Sequence, residues 1–161
     1  MTVSANLPRA GNPASSWLKA LRTYLGISAV GNLLWEALQL PLYTIRATGT
    51  VREQAFTVFH CTLGDILIAL GTLTLALLIL GNEGWPAAGF KRVAAATLLF
   101  GIVYTVFSEW LNVVVRASWA YSDWTIVPIG SLRIGLSPLL QWIIVPSAAL
   151  AITAWTTTTQ A

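Results

Sequence analysis

Charge is what this chain has least of. Nine Lys and Arg and six Asp and Glu make up only 9% of its 161 residues, where a soluble domain carries about a quarter. So few ionised side chains cannot cover a water-facing surface, so no soluble domain is expected. The basic residues are scattered, with no block of five or six to follow a nucleic-acid backbone, which excludes that class of partner. A single cysteine, Cys61, excludes an internal disulfide or a CxxC pair, and it reads as a small buried hydrophobe. A single histidine, His60, offers one imidazole ligand per chain and counts against haem. A cleaved signal peptide is not expected either, because the first apolar segment outruns an h-region and no small-x-small site follows it.

Apolar residues supply 56% of the chain. They fall into runs at about 17–43, 55–80, 93–115 and 134–155, each long enough to cross roughly 30 Å of hydrocarbon as a helix. The expected fold is all-α, an integral membrane four-helix bundle forming one domain over 17–156. A flexible polar tail, 1–16, precedes it and a short Thr-rich polar tail, 157–161, follows it. Gly81, Gly84 and Pro86 punctuate a turn. The longest connection, 117–133, reads as an interfacial loop or cap, with Trp119, Tyr121 and Trp124 suited to the headgroup region. Pro146 predicts a kink in the last span.

Within the apolar runs the polar residues keep helical spacing. Ser28, Asn32, Glu36, Gln39 and Tyr43 lie on one face of the first span, and Thr57, Cys61, Asp65 and Thr72 on one face of the second, with His60 and Gly64 in the adjacent row. Gly101, Thr105, Glu109, Asn112 and Arg116 repeat the pattern in the third span, beside Tyr104 and Ser108; the fourth carries Ser137, Pro138 and Gln141 early. A polar stripe on a spanning helix turns toward other helices or water rather than toward lipid.

Odd spans run one way and even spans the other. Glu36, His60, Asp65, Glu109 and Gln141 then all fall about 7 to 15 Å below the same interface, at 1.5 Å per residue, while the opposite half of every helix is nearly free of ionisable groups. A shared polar chamber opening to one face is expected, with Trp35, Trp110 and Trp142 as aromatic walls suited to an apolar or flat ligand. The ordinary alternative is helix glue: Asn32, Gln39, Asn112 and Gln141 as interhelical hydrogen-bonders, and Arg46 or Arg116 reaching back to Glu36 or Glu109.

If the chamber is functional, His60 and Glu109 are the candidate acid and base, and Glu36 and Asp65 orient them. Asn32, Trp35, Gln39, Tyr104, Trp110, Asn112, Gln141 and Trp142 are the candidate ligand contacts. The same acids and His60 are the residue types of a carboxylate-rich metal site, but no HxxxH or Glu-x-x-His motif accompanies them, and no cofactor is expected.

The runs WEALQLPLYT, FHCTLGDILIA, YTVFSEWLN and GLSPLLQW resemble those of small bacterial four-span membrane proteins over most of the chain. That resemblance implies an inner-membrane location and imports no activity. In general design the chain is also similar to the sterol isomerase and sigma-2 receptor group, with four expected spans rather than five and without the local motifs of that group, so no residue roles carry over. Basic residues number five on the tail side (Arg9, Lys19, Arg22, Lys91, Arg92) and four on the other (Arg46, Arg52, Arg116, Arg133). The positive-inside rule then puts both termini in the cytoplasm and the chamber on the periplasmic face.

The expected function is binding or conversion of a small apolar or lipidic molecule. Proton-coupled or small-solute transport is the alternative, as is a non-catalytic subunit of a larger membrane complex. Membrane lipid, a homo-oligomer or such a complex are the expected partners.

Overall fold

A computed structural model describes residues 13–120, 126–129 and 132–158. The first helix, α1 (Pro13–Gln39), begins inside the stretch read as a polar tail and ends in a 3-10 turn, Leu40–Leu42, where Pro41 cannot supply the next helical donor. A single turn, α2 (Ile45–Thr48), leads to α3 (Val51–Leu80). The start of α3 is set by a capping box: the Glu53 N–H donates to Thr50 Oγ1 at 3.3 Å, and the Thr50 N–H donates to Glu53 Oε2 at 2.7 Å.

Gly89 precedes α4 (Phe90–Glu109) in the left-handed conformation, φ 76°, which glycine adopts without a Cβ penalty. The same rod continues as a π-helical stretch, Trp110–Val115, with Arg116 N–H bonded to Leu111 O, and it stops at Ala117, φ 50°. Two short strands, β1 (Ile126–Ile129) and β2 (Leu132–Gly135), then pair antiparallel with Ile126 opposite Gly135. The last helix, α5 (Leu136–Thr158), is continuous through Pro146.

The described residues are therefore nearly all helical, as expected, with a hairpin at the end of the connection expected to be an interfacial loop or cap. Tyr121 and Trp124, expected at the interface, lie outside the described residues, as do most of the N-terminal tail and the end of the C-terminal one. Three helical rods are long and apolar enough to cross a membrane: 51–80, 90–115 and 136–157. The 27-residue α1 is less apolar, because its stripe of Ser28, Asn32, Glu36 and Gln39 interrupts the hydrocarbon.

The four long helices pack in a ring, with α1 and α4 each seated against both α3 and α5. Small residues allow two close approaches. A methyl group on Gly31 of α1 would stand 2.8 Å from Val145 Cγ1 of α5, and one on Gly101 of α4 would stand 2.5 Å from the Trp142 ring. The core centres on Tyr24, Leu73, Val93, Trp142 and Leu150, with Ala20, Ala69, Ala76 and Ala149 between them. Outside, leucines and phenylalanines face away from the ring, Leu38 and Leu78 about four-fifths exposed (78% and 80%). An unbroken apolar exterior of that kind fits hydrocarbon better than water.

Candidate functional site

At one end of the ring, where α1 and α4 finish and α3 and α5 begin, the helices enclose a cavity of about 660 Å³. Helical spacing puts the polar groups there. Glu36 and Gln39 come from the last turns of α1, Thr57, Cys61 and Asp65 from the first turns of α3, Thr105 and Glu109 from the end of α4, and Gln141 from the first turns of α5. Above them the 3-10 and α2 link meets the segment after the π-helix, with the Thr44 N–H donating to Ala120 O at 3.2 Å.

The floor is a connected polar network. Gln141 Nε2 donates to Asp65 Oδ2 at 2.8 Å, Asn32 Oδ1 at 3.0 Å and Glu36 Oε1 at 3.2 Å, joining α5 to α3 and α1. Gln39 Nε2 donates to the same Glu36 oxygen at 2.6 Å, while Gln39 Oε1 accepts from Ser137 Oγ at 2.7 Å. Ser137 in turn accepts from Trp35 Nε1 at 3.0 Å. The Glu36 and Asp65 carboxyls therefore meet at one amide nitrogen, that of Gln141.

Glu109 stands across the cavity, buried at 4% exposure, and accepts from the Gly135 N–H at 3.2 Å, which ties the hairpin's last residue to the site. His60 lies on the exposed side of α3 and stacks on Phe56, ring centroids 5.5 Å apart and 15° from parallel. Phe56 on α3 and Tyr104 on α4 both line the cavity and are both substantially exposed.

All four candidate acid and base residues, Glu36, His60, Asp65 and Glu109, line this one cavity, as do Gln39, Tyr104, Asn112, Gln141 and Trp142. Three candidates do not. Asn32 sits behind the floor as an acceptor for Gln141. Trp35 is spent on the seam with Ser137. Trp110 is turned outward, 38% exposed, its ring 6.0 Å from that of Phe107. Trp35 and Trp110 each differ by one residue from a lining glutamate, and one residue is about 100° round a helix. Asn112, expected to reach another helix, donates instead to Ser108 O of its own at 2.9 Å.

The cavity also takes residues to which the sequence reading assigned no site role, Cys61, Thr105, Arg116 and Trp119. Cys61 lies one turn before Asp65, Thr105 one turn before Glu109 and Arg116 two turns after it, the helical spacing that could have included them. Arg116 is the exposed member of that set. Trp119 Nε1 is buried without a protein partner. Among the described residues, no three of His, Cys, Asp and Glu gather closely enough to hold a metal ion. No family model, curated protein or solved structure matches this chain.

Proposed function

We propose that the chain is a four-span protein of the bacterial inner membrane whose cavity binds, and in the stronger form converts, a small amphipathic or lipidic molecule. The observation that carries this reading is the meeting, in one cavity of about 660 Å³, of two carboxyls that share the Gln141 amide with the rings of Phe56, Tyr104 and Trp142. Carboxyl and amide groups on the floor would fix a polar end, and the rings would hold an apolar body. Trp119 Nε1 offers a further donor. The exposure of the lining rings Phe56 and Tyr104 suits entry from the lipid phase.

For α1 as the fourth span, the support is its burial pattern. Ser28, Asn32, Glu36 and Gln39 turn inward, while Val30, Leu34 and Leu38 turn outward, and 27 residues make a rod of about 40 Å. The basic residues then favour cytoplasmic termini and a periplasmic mouth. In the stronger form, Glu109 and His60 exchange a proton with the bound molecule, Glu109 from the wall and His60 from the mouth.

Native mass spectrometry from mild detergent tests the binding reading. Wild-type protein is expected to carry one lipid-sized adduct, and Trp142→Ala to lose it. Wild-type protein that carries no adduct and takes none up from a total membrane lipid extract would overturn the reading.

A further inference from the structure

The two ends of the cavity differ in chemistry. Its floor is rich in acceptors: Glu36 and Asp65 share the Gln141 amide, and Gln39 gives a further N–H to Glu36. Those donors are neutral amides, which satisfy lone pairs and bring no charge. The outer end, where the link after α1 meets the segment after the π-helical stretch, has the opposite character. Arg116, two turns beyond Glu109, is the only Lys or Arg among the described lining residues. Trp119, three residues on, also lines the cavity, and its buried Nε1 has no protein acceptor.

Each end makes its own demand on an occupant. Carboxylates taken out of water need a counter-charge, and a buried N–H left without an acceptor is costly. One molecule meets both demands if it carries an ammonium and, a short linker away, an anionic oxygen. The ammonium supplies three N–H groups to the oxygens of Glu36 and Asp65, and the Trp142 and Tyr104 rings beside them attract a cation by their faces. The anionic oxygen accepts from Trp119 Nε1 and pairs with the Arg116 guanidinium. A purely anionic head would set like charges against the floor, and an uncharged apolar ligand would answer neither end.

Arg116 terminates the α4 rod, at the membrane surface in the four-span reading, which is the level of lipid phosphates. From Phe56 inward, Leu63 and Leu67 follow on one exposed face of α3 at helical spacing, a track along which an acyl chain can lie. We infer that the occupant is a zwitterionic aminophospholipid, its ammonium on Glu36 and Asp65, its phosphate on Arg116 and Trp119, and its chains on the outside of α3. This inference rests on the reading of the cavity as a lipid site and names the headgroup that the site selects.

The test offers the full chain, delipidated in mild detergent, equal amounts of phosphatidylethanolamine and phosphatidylglycerol with matched chains, and weighs the adduct by native mass spectrometry. Phosphatidylethanolamine is expected to be held about tenfold in preference, the worth of one charge-assisted contact. Glu36→Gln is expected to bring the two lipids close to parity, and Arg116→Gln combined with Trp119→Phe to weaken both alike. Phosphatidylcholine makes the same cut on wild-type protein without a substitution, because its ammonium keeps the charge and has no N–H; it is expected to be held less well than phosphatidylethanolamine, and equal retention overturns the hydrogen-bonded ammonium. Soluble glycerophosphoethanolamine that displaces the lipid at equal concentration upholds both headgroup contacts and moves their source from the bilayer to solution. An adduct that is phosphatidylglycerol or carries no amine overturns the inference and leaves the cavity reading standing. A phosphatidylethanolamine preference that survives Glu36→Gln overturns it as well, since the headgroup is then held elsewhere. Wild-type protein that takes up no lipid at all removes both readings.

Discussion

Gln141 on α5 and Asp65 on α3 are joined at 2.8 Å through an amide nitrogen that also reaches Asn32 and Glu36 on α1. An amide has two N–H groups, so three acceptors on two helices compete for two donors. Gln141 thereby ties three of the four long helices together at the floor of the cavity.

Replacing it should loosen all three. Gln141→Leu has a similar volume but removes the donor that Asp65, Asn32 and Glu36 share, leaving the Glu36 oxygen with Gln39 alone. Interhelical hydrogen bonds in membranes average well under 1 kcal/mol each, so a loss of about 1–2 kcal/mol is expected for the set. Unfolding by sodium dodecyl sulfate in mixed micelles measures it. An unchanged midpoint would mean that the Gln141 contacts add nothing to stability.

The carboxyl pair should behave in the opposite sense. Two acids side by side are an arrangement that stability alone does not favour, since burial and mutual repulsion both oppose their ionisation. Asp65→Asn, which can still accept from Gln141, is expected to raise resistance to unfolding by about 1 kcal/mol while abolishing the lipid adduct, the trade expected where a site is held at the expense of stability. Helix glue predicts the reverse, a destabilised protein that keeps its adduct. The same unfolding assay run beside native mass spectrometry separates the two.

The gathering of Glu36, Asp65, Glu109 and Gln141 was legible because each sits at helical spacing in the same half of its own apolar run, and hydrocarbon leaves such groups only the interior. Which of them touch was not. Gln141 as the hub and Asn112 bonding within its own helix depend on side-chain reach across helices, about which spacing along one helix is silent. Trp35 and Trp110 were placed in the cavity by adjacency in sequence, and adjacency on a helix means a different face. The hairpin had a local signal, Gly130 and Ser131 between two short apolar runs, which is the composition of a tight two-residue turn. The π-helical stretch Trp110–Val115 had none, since its residues fit an ordinary helix equally well.

Gly101 and Trp142 offer a test of how tightly the cavity wall is set. A Cβ at Gly101 would stand 2.5 Å from Trp142 Cε3 and 2.7 Å from Cζ3, so the indole must move for alanine to fit. Overpacking of that kind costs about 1–3 kcal/mol, against about 1 kcal/mol gained from the better helix former. Gly101→Ala is therefore expected to lose about 1 kcal/mol net and to weaken the lipid adduct. Adding Trp142→Phe should restore part of the stability, and a double-mutant cycle reads the coupling. Additive losses would show that the helices part rather than the ring yielding.

Cys61 is the only thiol in the chain and lines the cavity about three turns into α3, so it reports both the access to the cavity and the face on which it lies. Gln39, Asp65 and Gln141 make the floor beneath it wet enough for a small charged reagent, and the half-buried thiol should react more slowly than in the unfolded chain. A membrane-impermeant methanethiosulfonate added to intact spheroplasts is expected to label Cys61, to displace the lipid adduct, and to be slowed when lipid is in excess. Labelling confined to inside-out vesicles would put the cavity on the cytoplasmic face and reverse the orientation drawn from the basic residues, without touching the cavity itself. Labelling from neither side until the protein is denatured would mean that the cavity is sealed, and would remove the route by which any molecule from the lipid phase could reach Glu36 and Asp65.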